Sequence, residues 1–233
     1  MNFLDFLQTI GINLHFDFSF VSWDYVKEYL LEGFYFSVGM TILATILGVI
    51  FGTLLALGRL SKIPVLSQII TFYIVAMRSL PLMLVILWFF LLIPLVTGKV
   101  LGVFLSALIT FSAFEAAYFA EIMRAGIQSI PRGQFQAGEA LGMTYWQRMK
   151  IVVLPQTFRN MLPILLTQVI ILFQDTSLVY VISGLDLFKG FTQAANNSHA
   201  NENYILAGVT YFIICFSLSL CVKQLQKRIA IIR

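Results

Sequence analysis

Four consecutive polar residues interrupt one of the long apolar runs of this sequence: Gln174, Asp175, Thr176 and Ser177. The run is long enough to cross a bilayer as a helix. An ionised side chain at bilayer depth costs about 2.5 to 3.5 kcal/mol on insertion scales, so it faces protein or a water-filled path. We expect Asp175 and its polar neighbours to line a path for a polar solute, where the carboxylate could hold an ammonium group. The alternative is a hydrogen bond or ion pair from Asp175 that fixes helix packing.

Two further charged residues lie within apolar runs. Glu115 is in the interior of the third run, and Arg78 opens the sequence Arg-Ser-Leu-Pro in the second. Glu115 is predicted to be buried, and Arg78 is one candidate partner for its carboxylate. Arg78 could instead extend to the cytoplasmic surface or bind the carboxylate of an acidic solute. Both residues join Asp175 as candidates for the solute path, although we favour a structural role for Glu115 and a gate or interface role for Arg78.

The sequence has no recognisable motif for catalysis or for binding a metal or a nucleotide. It has two histidines, no glycine-rich phosphate loop, no His or Cys set at metal-ligand spacing, and no nucleophile beside a base. Cys215 and Cys221 are six residues apart, which is not one helical face, so buried inert thiols are predicted. We therefore expect a protein that is not an enzyme and carries no metal or cofactor. If the protein does work, such as moving a solute, the energy would have to come from a partner protein or an ion gradient.

Long apolar segments position these residues. The chain has 233 residues, of which 59% are hydrophobic and 11% charged, whereas about a quarter of the residues in soluble domains are charged. This composition predicts an all-α membrane protein without a soluble domain, and the dispersed positive charge does not indicate nucleic-acid binding. Gly48 and Gly52 form a G-x-x-x-G pair that predicts close approach of another helix. Five membrane-spanning helices are predicted, at about 34–57, 80–94, 100–123, 162–182 and 204–222.

Basic residues predict the orientation of these spans. With the N-terminus outside and Arg78 set aside, eleven Lys and Arg residues are cytoplasmic and three are outside. Pro81 breaks the second run, so residues 67–79 are predicted as an interfacial lead-in, and the polar residues 184–203 as an outer loop. The predicted regions are a periplasmic or interfacial segment at 1–33, a membrane domain at 34–222 with a cytoplasmic loop at about 124–160, and a basic cytoplasmic tail at 223–233.

A polar insert, residues 134–155, separates two of the apolar runs on the cytoplasmic side. Residues 134–141 have a helical pattern, Gly142 breaks it, and residues 145–149 begin a second short turn. A short amphipathic helix of this kind suits a groove on another protein. The alternative is a helix that lies on lipid headgroups.

The insert resembles the EAA loop of ABC importer permeases. In that motif E-A-A is followed by three residues, a Gly, nine residues and I-x-L-P. The matching residues here are Gln136-Ala137-Gly138, Gly142 and Val152-Val153-Leu154-Pro155, with departures at 136, 138 and 152. The resemblance implies that one loop couples the permease to an ATPase, and that it contains Gln136, Ala137, Gly138, Glu139, Gly142, Leu154 and Pro155.

The resemblance extends from about Phe34 to Arg228. Arg78-Ser79-Leu80-Pro81 is similar to the R-[GS]-x-P of polar amino-acid importers, and FEAAYFAEIMRAGIQSI and LFQDTSLVYVIS resemble glutamate/aspartate importer permeases. This implies a type I permease fold in a bacterial inner membrane and transport of a polar, in particular an acidic, amino acid. The implied partners are two copies of a cytoplasmic ATPase that uses ATP, a second and related permease chain, and a periplasmic or tethered binding protein.

Three alternatives stay open on the sequence alone. The amino acid carried could be glutamine, arginine or histidine, since permeases for these share many of the motifs. The chain could be part of a transporter or channel driven by an ion gradient, with Asp175 and Glu115 as proton or sodium sites, although the EAA spacing argues against this. It could also be a scaffold without transport, although the buried polar residues at 174–177 argue against that.

Overall fold

The computed structural model describes the backbone of residues 18–229 and the side chains of residues 18–227. Every regular element in this part of the chain is a helix, so the all-α prediction is confirmed there. We number the helices α1 to α8. Their bounds are α1 Trp23–Arg59, α2 Pro64–Ser79, α3 Leu82–Thr97, α4 Val103–Gln128, α5 Arg132–Ala140, α6 Tyr145–Ile182, α7 Leu187–Ser198 and α8 Glu202–Ile229.

Four helices, α1, α4, α6 and α8, are long and apolar enough to cross a membrane. Helices α2 and α3 meet at a bend of 111° and supply a fifth crossing if they act as one span. Leu80, which precedes Pro81, is extended (φ −99°, ψ 140°), because a residue before proline is pushed out of the helical region. Since α3 has only 16 residues, its length of roughly 24 Å falls short of a bilayer core of about 30 Å.

The centre of the fold is the packing of α1 against α4. A Cβ atom on Gly48 would lie 2.9 Å from the Phe119 ring, and one on Gly52 would lie 2.7 Å from Phe119 Cβ and 2.9 Å from the Ala116 carbonyl oxygen. The two backbones can approach so closely only because neither glycine has a side chain. The close approach predicted from the G-x-x-x-G pair is therefore confirmed.

Helix α7 lies where a polar loop was predicted, so that prediction is wrong. Asp186 caps the helix, because its Oδ2 accepts a hydrogen bond of 2.8 Å from the Phe188 N–H. Leu187, Phe191 and Ala194 are buried on one side. Their spacing of four and three residues is helical, and the Lys, Thr and Gln residues between them, with the Asn residues that follow, masked this pattern in the composition.

The helices also run further than predicted at both ends. Helix α1 begins at Trp23, within the predicted segment 1–33, of which residues 1–17 lie outside the described part of the chain. Helix α8 continues to Ile229, so the start of the predicted tail is helical.

Helix α6 is one uninterrupted helix of 38 residues, from the polar insert through the predicted fourth span. It contains a π-helical turn at Met149–Val153 and ends in a 3₁₀ segment at Thr176–Ile182.

Candidate coupling loop and solute path

A tight turn joins α5 to α6 within the polar insert. Gly142 has the left-handed φ of +72°, which residues with a Cβ rarely adopt. Its N–H donates to the Glu139 carbonyl at 2.9 Å, and the Met143 N–H donates to the Gly138 carbonyl at 3.0 Å. This pair of bonds is the Schellman motif that ends many helices. The predicted helix break at Gly142 is therefore confirmed.

A capping box then starts α6. Thr144 Oγ1 accepts a bond of 3.3 Å from the Gln147 N–H, and Gln147 Oε1 accepts one of 2.8 Å from the Thr144 N–H. Two backbone donors at the start of the helix are thereby satisfied, which fixes the direction in which α6 leaves the turn.

Arg148 holds the two arms of the loop together. Its Nη1 donates to Glu139 Oε2 at 3.1 Å and to the Phe135 carbonyl at 3.4 Å. The side chain lies across Gly138, where an added Cβ would be 2.8 Å from Arg148 Cγ. This contact explains why glycine at 138, in place of the alanine of the resembled motif, fits this loop. Sequence reasoning missed Arg148, and the smaller residue at 138 was the signal that a side chain crosses there.

The outer surface of the loop is apolar and exposed. Leu141 is 77% exposed, Trp146 67% and Tyr145 46%, and we call these three residues the loop surface. The predicted coupling residues Gln136, Ala137 and Glu139 are exposed nearby, whereas Gly138 is buried. An exposed apolar patch of this kind marks a site of interaction with protein or membrane.

Leu154 and Pro155 are not part of this surface. Leu154 is half-buried against a cluster that contains Ile127, Ile130 and Val153, and so ties α6 to the end of α4. Pro155 is exposed and lacks the N–H that would continue the hydrogen-bond ladder of the helix. Of the seven predicted loop residues, five therefore lie in or beside the turn, at 136–139 and 142. The other two, Leu154 and Pro155, lie further along α6.

The four polar residues 174–177 point in different directions, because successive residues of a helix are about 100° apart. Gln174 is exposed in a groove of about 340 Å³ between α6 and α8. Asp175 and Ser177 are half-buried, whereas Thr176 is buried and donates to the Phe173 carbonyl at 2.7 Å. The four residues therefore do not form one polar surface.

Glu115 is fully buried between α4 and α6. The Gln168 side-chain amide donates to both carboxylate oxygens, at 3.1 and 3.2 Å. Asp175, seven residues further along α6 and on the same face as Gln168, is close enough to interact electrostatically with Glu115. The structure thus places Glu115 within electrostatic range of Asp175 and gives it a hydrogen-bond partner, Gln168, that sequence reasoning missed. The spacing of Gln168 and Asp175 was the available signal.

Arg78 is not the partner of Glu115, so that candidate pairing is wrong. Its guanidinium lies 5.3 Å from the centre of the Tyr118 ring, and its Nη1 is 3.8 Å from Glu121 Oε2. Glu121 also binds Arg59 and Arg124. We call Glu121 and its three arginines the Glu121 cluster. It joins α1, α2 and α4 at one carboxylate that is 23% exposed.

No group of three or more His, Cys, Asp or Glu within residues 18–229 is placed to hold a metal ion. His15 lies outside these residues. Of the two cysteines, Cys215 is buried as predicted, but Cys221 is exposed, because it lies on the outward face of α8. Neither forms a disulfide.

Residues 27–231 match the sequence profile of the family described as binding-protein-dependent transport system inner membrane component. The chain is 47% identical over 210 residues to the glutamate/aspartate import permease protein GltK of Escherichia coli O157:H7, covering 87% of this chain and 94% of that protein. It is 37% identical over 215 residues to the L-cystine transport system permease protein TcyB of Bacillus subtilis, covering 90% and 92%.

Chains of solved ABC transporter structures have a fold similar to that of this chain. A chain of the crystal structure of an amino acid ABC transporter with histidines superposes with a TM-score of 0.82 at 28% identity, over 92% of this chain and all of that one. A chain of the MetNI methionine ABC transporter, at 18% identity and a TM-score of 0.73, shares the fold over 91% of this chain. These relatives are permeases rather than enzymes. The chain therefore belongs to the family of binding-protein-dependent transport system inner membrane components, and it is a multi-pass permease of the inner membrane.

Proposed function

We propose that this permease carries an acidic amino acid, glutamate or aspartate, as part of an ATP-driven importer. The observation that carries this proposal is the 47% identity over nearly the whole chain to a glutamate/aspartate import permease. Matches at 37% to a cystine permease and at 34% to a probable glutamine permease are weaker. The second candidate is therefore another polar amino acid within the same class of importer.

Five crossings follow if α2 and α3 act together as one span. The excess of basic residues then places the N-terminus outside and the C-terminus in the cytoplasm. In this arrangement residues 1–33 begin on the outer side, 34–222 form the membrane domain, and 223–233 form the cytoplasmic tail. The segment at about 124–160 is then the cytoplasmic coupling loop.

The loop surface is the proposed contact with the ATPase. Leu141, Tyr145 and Trp146 present an apolar face that would be covered by a groove of that partner. The ATPase, in two copies, binds and uses ATP, and this chain holds no cofactor of its own. A second, related permease chain completes the membrane part, and a periplasmic or tethered binding protein delivers the amino acid.

Asp175 is the proposed polar contact on the solute path, with Gln174 and Ser177 as neighbours that remain accessible. Its position on α6 supports this role, because α6 is continuous from the coupling loop to Asp175. Movement of the loop would therefore move the path, as alternating access requires. Thr176 and Glu115 are buried, so their proposed role is to hold the path-lining residues in position without contacting the solute. Arg78 belongs to a proposed gate at the Glu121 cluster.

Uptake of labelled glutamate in cells with and without the gene tests the proposed cargo. We expect uptake that needs the gene, needs ATP, and is blocked by unlabelled aspartate but not by arginine. If removing the gene abolished uptake of a different amino acid, the acidic cargo would be refuted, but the assignment as an amino-acid permease would stand. Dependence on the proton gradient in place of ATP would refute the ATP-driven mechanism.

Asp175→Ala tests the path, with Asp24→Ala as the control that removes an exposed carboxylate on the outer side. We expect Asp175→Ala to assemble with its partners and lose uptake, and the control to retain uptake. Loss of assembly in Asp175→Ala would assign the residue to helix packing.

A further inference from the structure

An apolar groove of about 900 Å³ lies between α1, α2 and α4. Its walls include Phe51 and Leu54 of α1, Ile69 of α2, and Ile109 of α4. Phe51, Leu54 and Ile69 are at least half exposed. The Tyr73 hydroxyl on its lining donates to the Ala113 carbonyl at 2.6 Å and is therefore satisfied. Ser112 also lines the groove, and its buried hydroxyl has no hydrogen-bond partner. Apart from that hydroxyl, the side chains that the groove offers to an occupant are hydrocarbon.

One end of the groove carries a surplus of positive charge. Gly58 and Leu66 line this end and flank the turn between α1 and α2. Lys62 is exposed in that turn. Arg59, beside Gly58, belongs to the Glu121 cluster, where three arginines share one carboxylate. Two cations, Arg59 and Lys62, thus follow Gly58 closely in the chain, and the carboxylate that Arg59 binds is shared with two further arginines.

We propose that the groove binds an anionic glycerophospholipid of the cytoplasmic leaflet, with its acyl chains against α1 and α4 and its phosphate at Lys62. The proposal rests on the proposed orientation, which places the α1–α2 turn at the cytoplasmic surface. A lipid satisfies both ends of the groove, because its tails are hydrocarbon and its head is negative. Basic pockets between membrane helices on the cytoplasmic side bind anionic headgroups in this way.

A helix of the second permease is the competing occupant. It would fill the apolar walls, but it would bring negative charge to Lys62 only if a carboxylate happened to lie at that level, whereas every anionic glycerophospholipid carries negative charge in its headgroup. The charge at the turn therefore favours the lipid. Bound there, the lipid would also contact the three helices that the Glu121 cluster ties together.

Native mass spectrometry of the purified, complete transporter measures lipid retention directly. The two probes are dioleoyl phosphatidylglycerol, which is anionic, and dioleoyl phosphatidylcholine, which is not. Lys62→Gln removes the headgroup charge, and Ile109→Trp fills the groove. Lys223→Gln, at an exposed cation of α8, and Ile42→Trp, at an exposed position of α1 outside the groove, are the matched controls.

We expect the complex to retain phosphatidylglycerol in preference to phosphatidylcholine. Lys62→Gln should weaken phosphatidylglycerol binding by about fivefold, since one basic residue near an anionic headgroup contributes about that factor. Ile109→Trp should abolish the preference, and both controls should retain it. Equal retention of the two lipids, or a preference that survives Ile109→Trp, would overturn the proposal.

Cross-linking of an Ile109→Cys variant to the second permease in the membrane would also overturn the proposal, since it would place a helix in the groove. Lipid retention is measured without transport. A failure of the lipid proposal is therefore distinguishable from a failure of the proposed cargo, which uptake alone decides.

Discussion

Replacing Gln168 by leucine removes both hydrogen bonds that its amide donates to the buried Glu115 carboxylate. Leucine has nearly the volume of glutamine, so the change creates little cavity and isolates the loss of the bonds. A buried polar group left without its partner costs about 1–3 kcal/mol, and more if it is charged. In a chain of this size that corresponds to a fall in Tm of roughly 3–10 °C.

The single variant Glu115→Leu and the double variant Glu115→Leu/Gln168→Leu complete a double-mutant cycle. Glu115→Leu should also destabilise, because the Gln168 amide is then unsatisfied. The double variant Glu115→Leu/Gln168→Leu should regain most of the stability, since replacing both partners with apolar groups is nearly neutral. The sum of the two single losses would then exceed the loss in the double variant by about 2 kcal/mol or more.

Thermal unfolding of the purified complex and glutamate uptake are the two readouts. If Glu115 acts only through packing, the double variant should fold and transport nearly as well as the wild type. A double variant that folds but does not transport would return Glu115 to the solute path. A Gln168→Leu variant with an unchanged Tm, or a double variant as unstable as the sum of the singles, would refute the energetic reasoning.

Three further predictions concern the turn between α5 and α6 and the contact of α1 with the start of α7. Gly142→Ala forces a Cβ into the left-handed region at a cost of about 1–2 kcal/mol, so it should lower stimulation of the partner ATPase, whereas Gly133→Ala, where a Cβ meets nothing within 4 Å, should not. Gly33→Ala would place a Cβ 2.5 Å from the Asp186 carbonyl oxygen. It should therefore reduce the yield of folded protein, and Gly39→Ala, with open space, should not. Burial raises the pKa of Asp186 to about 7 although backbone N–H groups oppose this. The unfolded carboxyl ionises near 3.9, so stability should fall as the pH rises from about 4 to about 7, and Asp186→Asn should flatten that slope in thermal melts recorded across the same pH range.

Features that depend on near neighbours in the chain could be predicted from the sequence. Apolar run length predicted the helical membrane class, and the spacing of Gly48 and Gly52 predicted a close helix contact. Gly142, between a helical pattern and a second turn, predicted the break between α5 and α6. In each case one local rule of length, periodicity or backbone conformation decides the outcome.

Features that depend on distant pairing could not be predicted. Gln168 and Glu115 are 53 positions apart, and nothing local indicates that they meet. Glu115 was the candidate partner of Arg78, but the residues that Arg78 contacts are Tyr118 and Glu121, about one and two turns further along α4. The helix α7 had local signals, including the cap at Asp186, but its polar composition outweighed them.

The continuity of α6 has a mechanical consequence. Its 38 residues form a shaft on the order of 55 Å long at 1.5 Å per residue. Such a shaft transmits torque as well as displacement, so twisting its N-terminal end at Tyr145 by a given angle turns the Asp175 carboxylate by a similar angle. Each residue added between Pro155 and Asp175 would turn the carboxylate by about 100°. The number of residues between Pro155 and Asp175 therefore sets the angle of the carboxylate relative to the loop, independently of which side chains fill the interval.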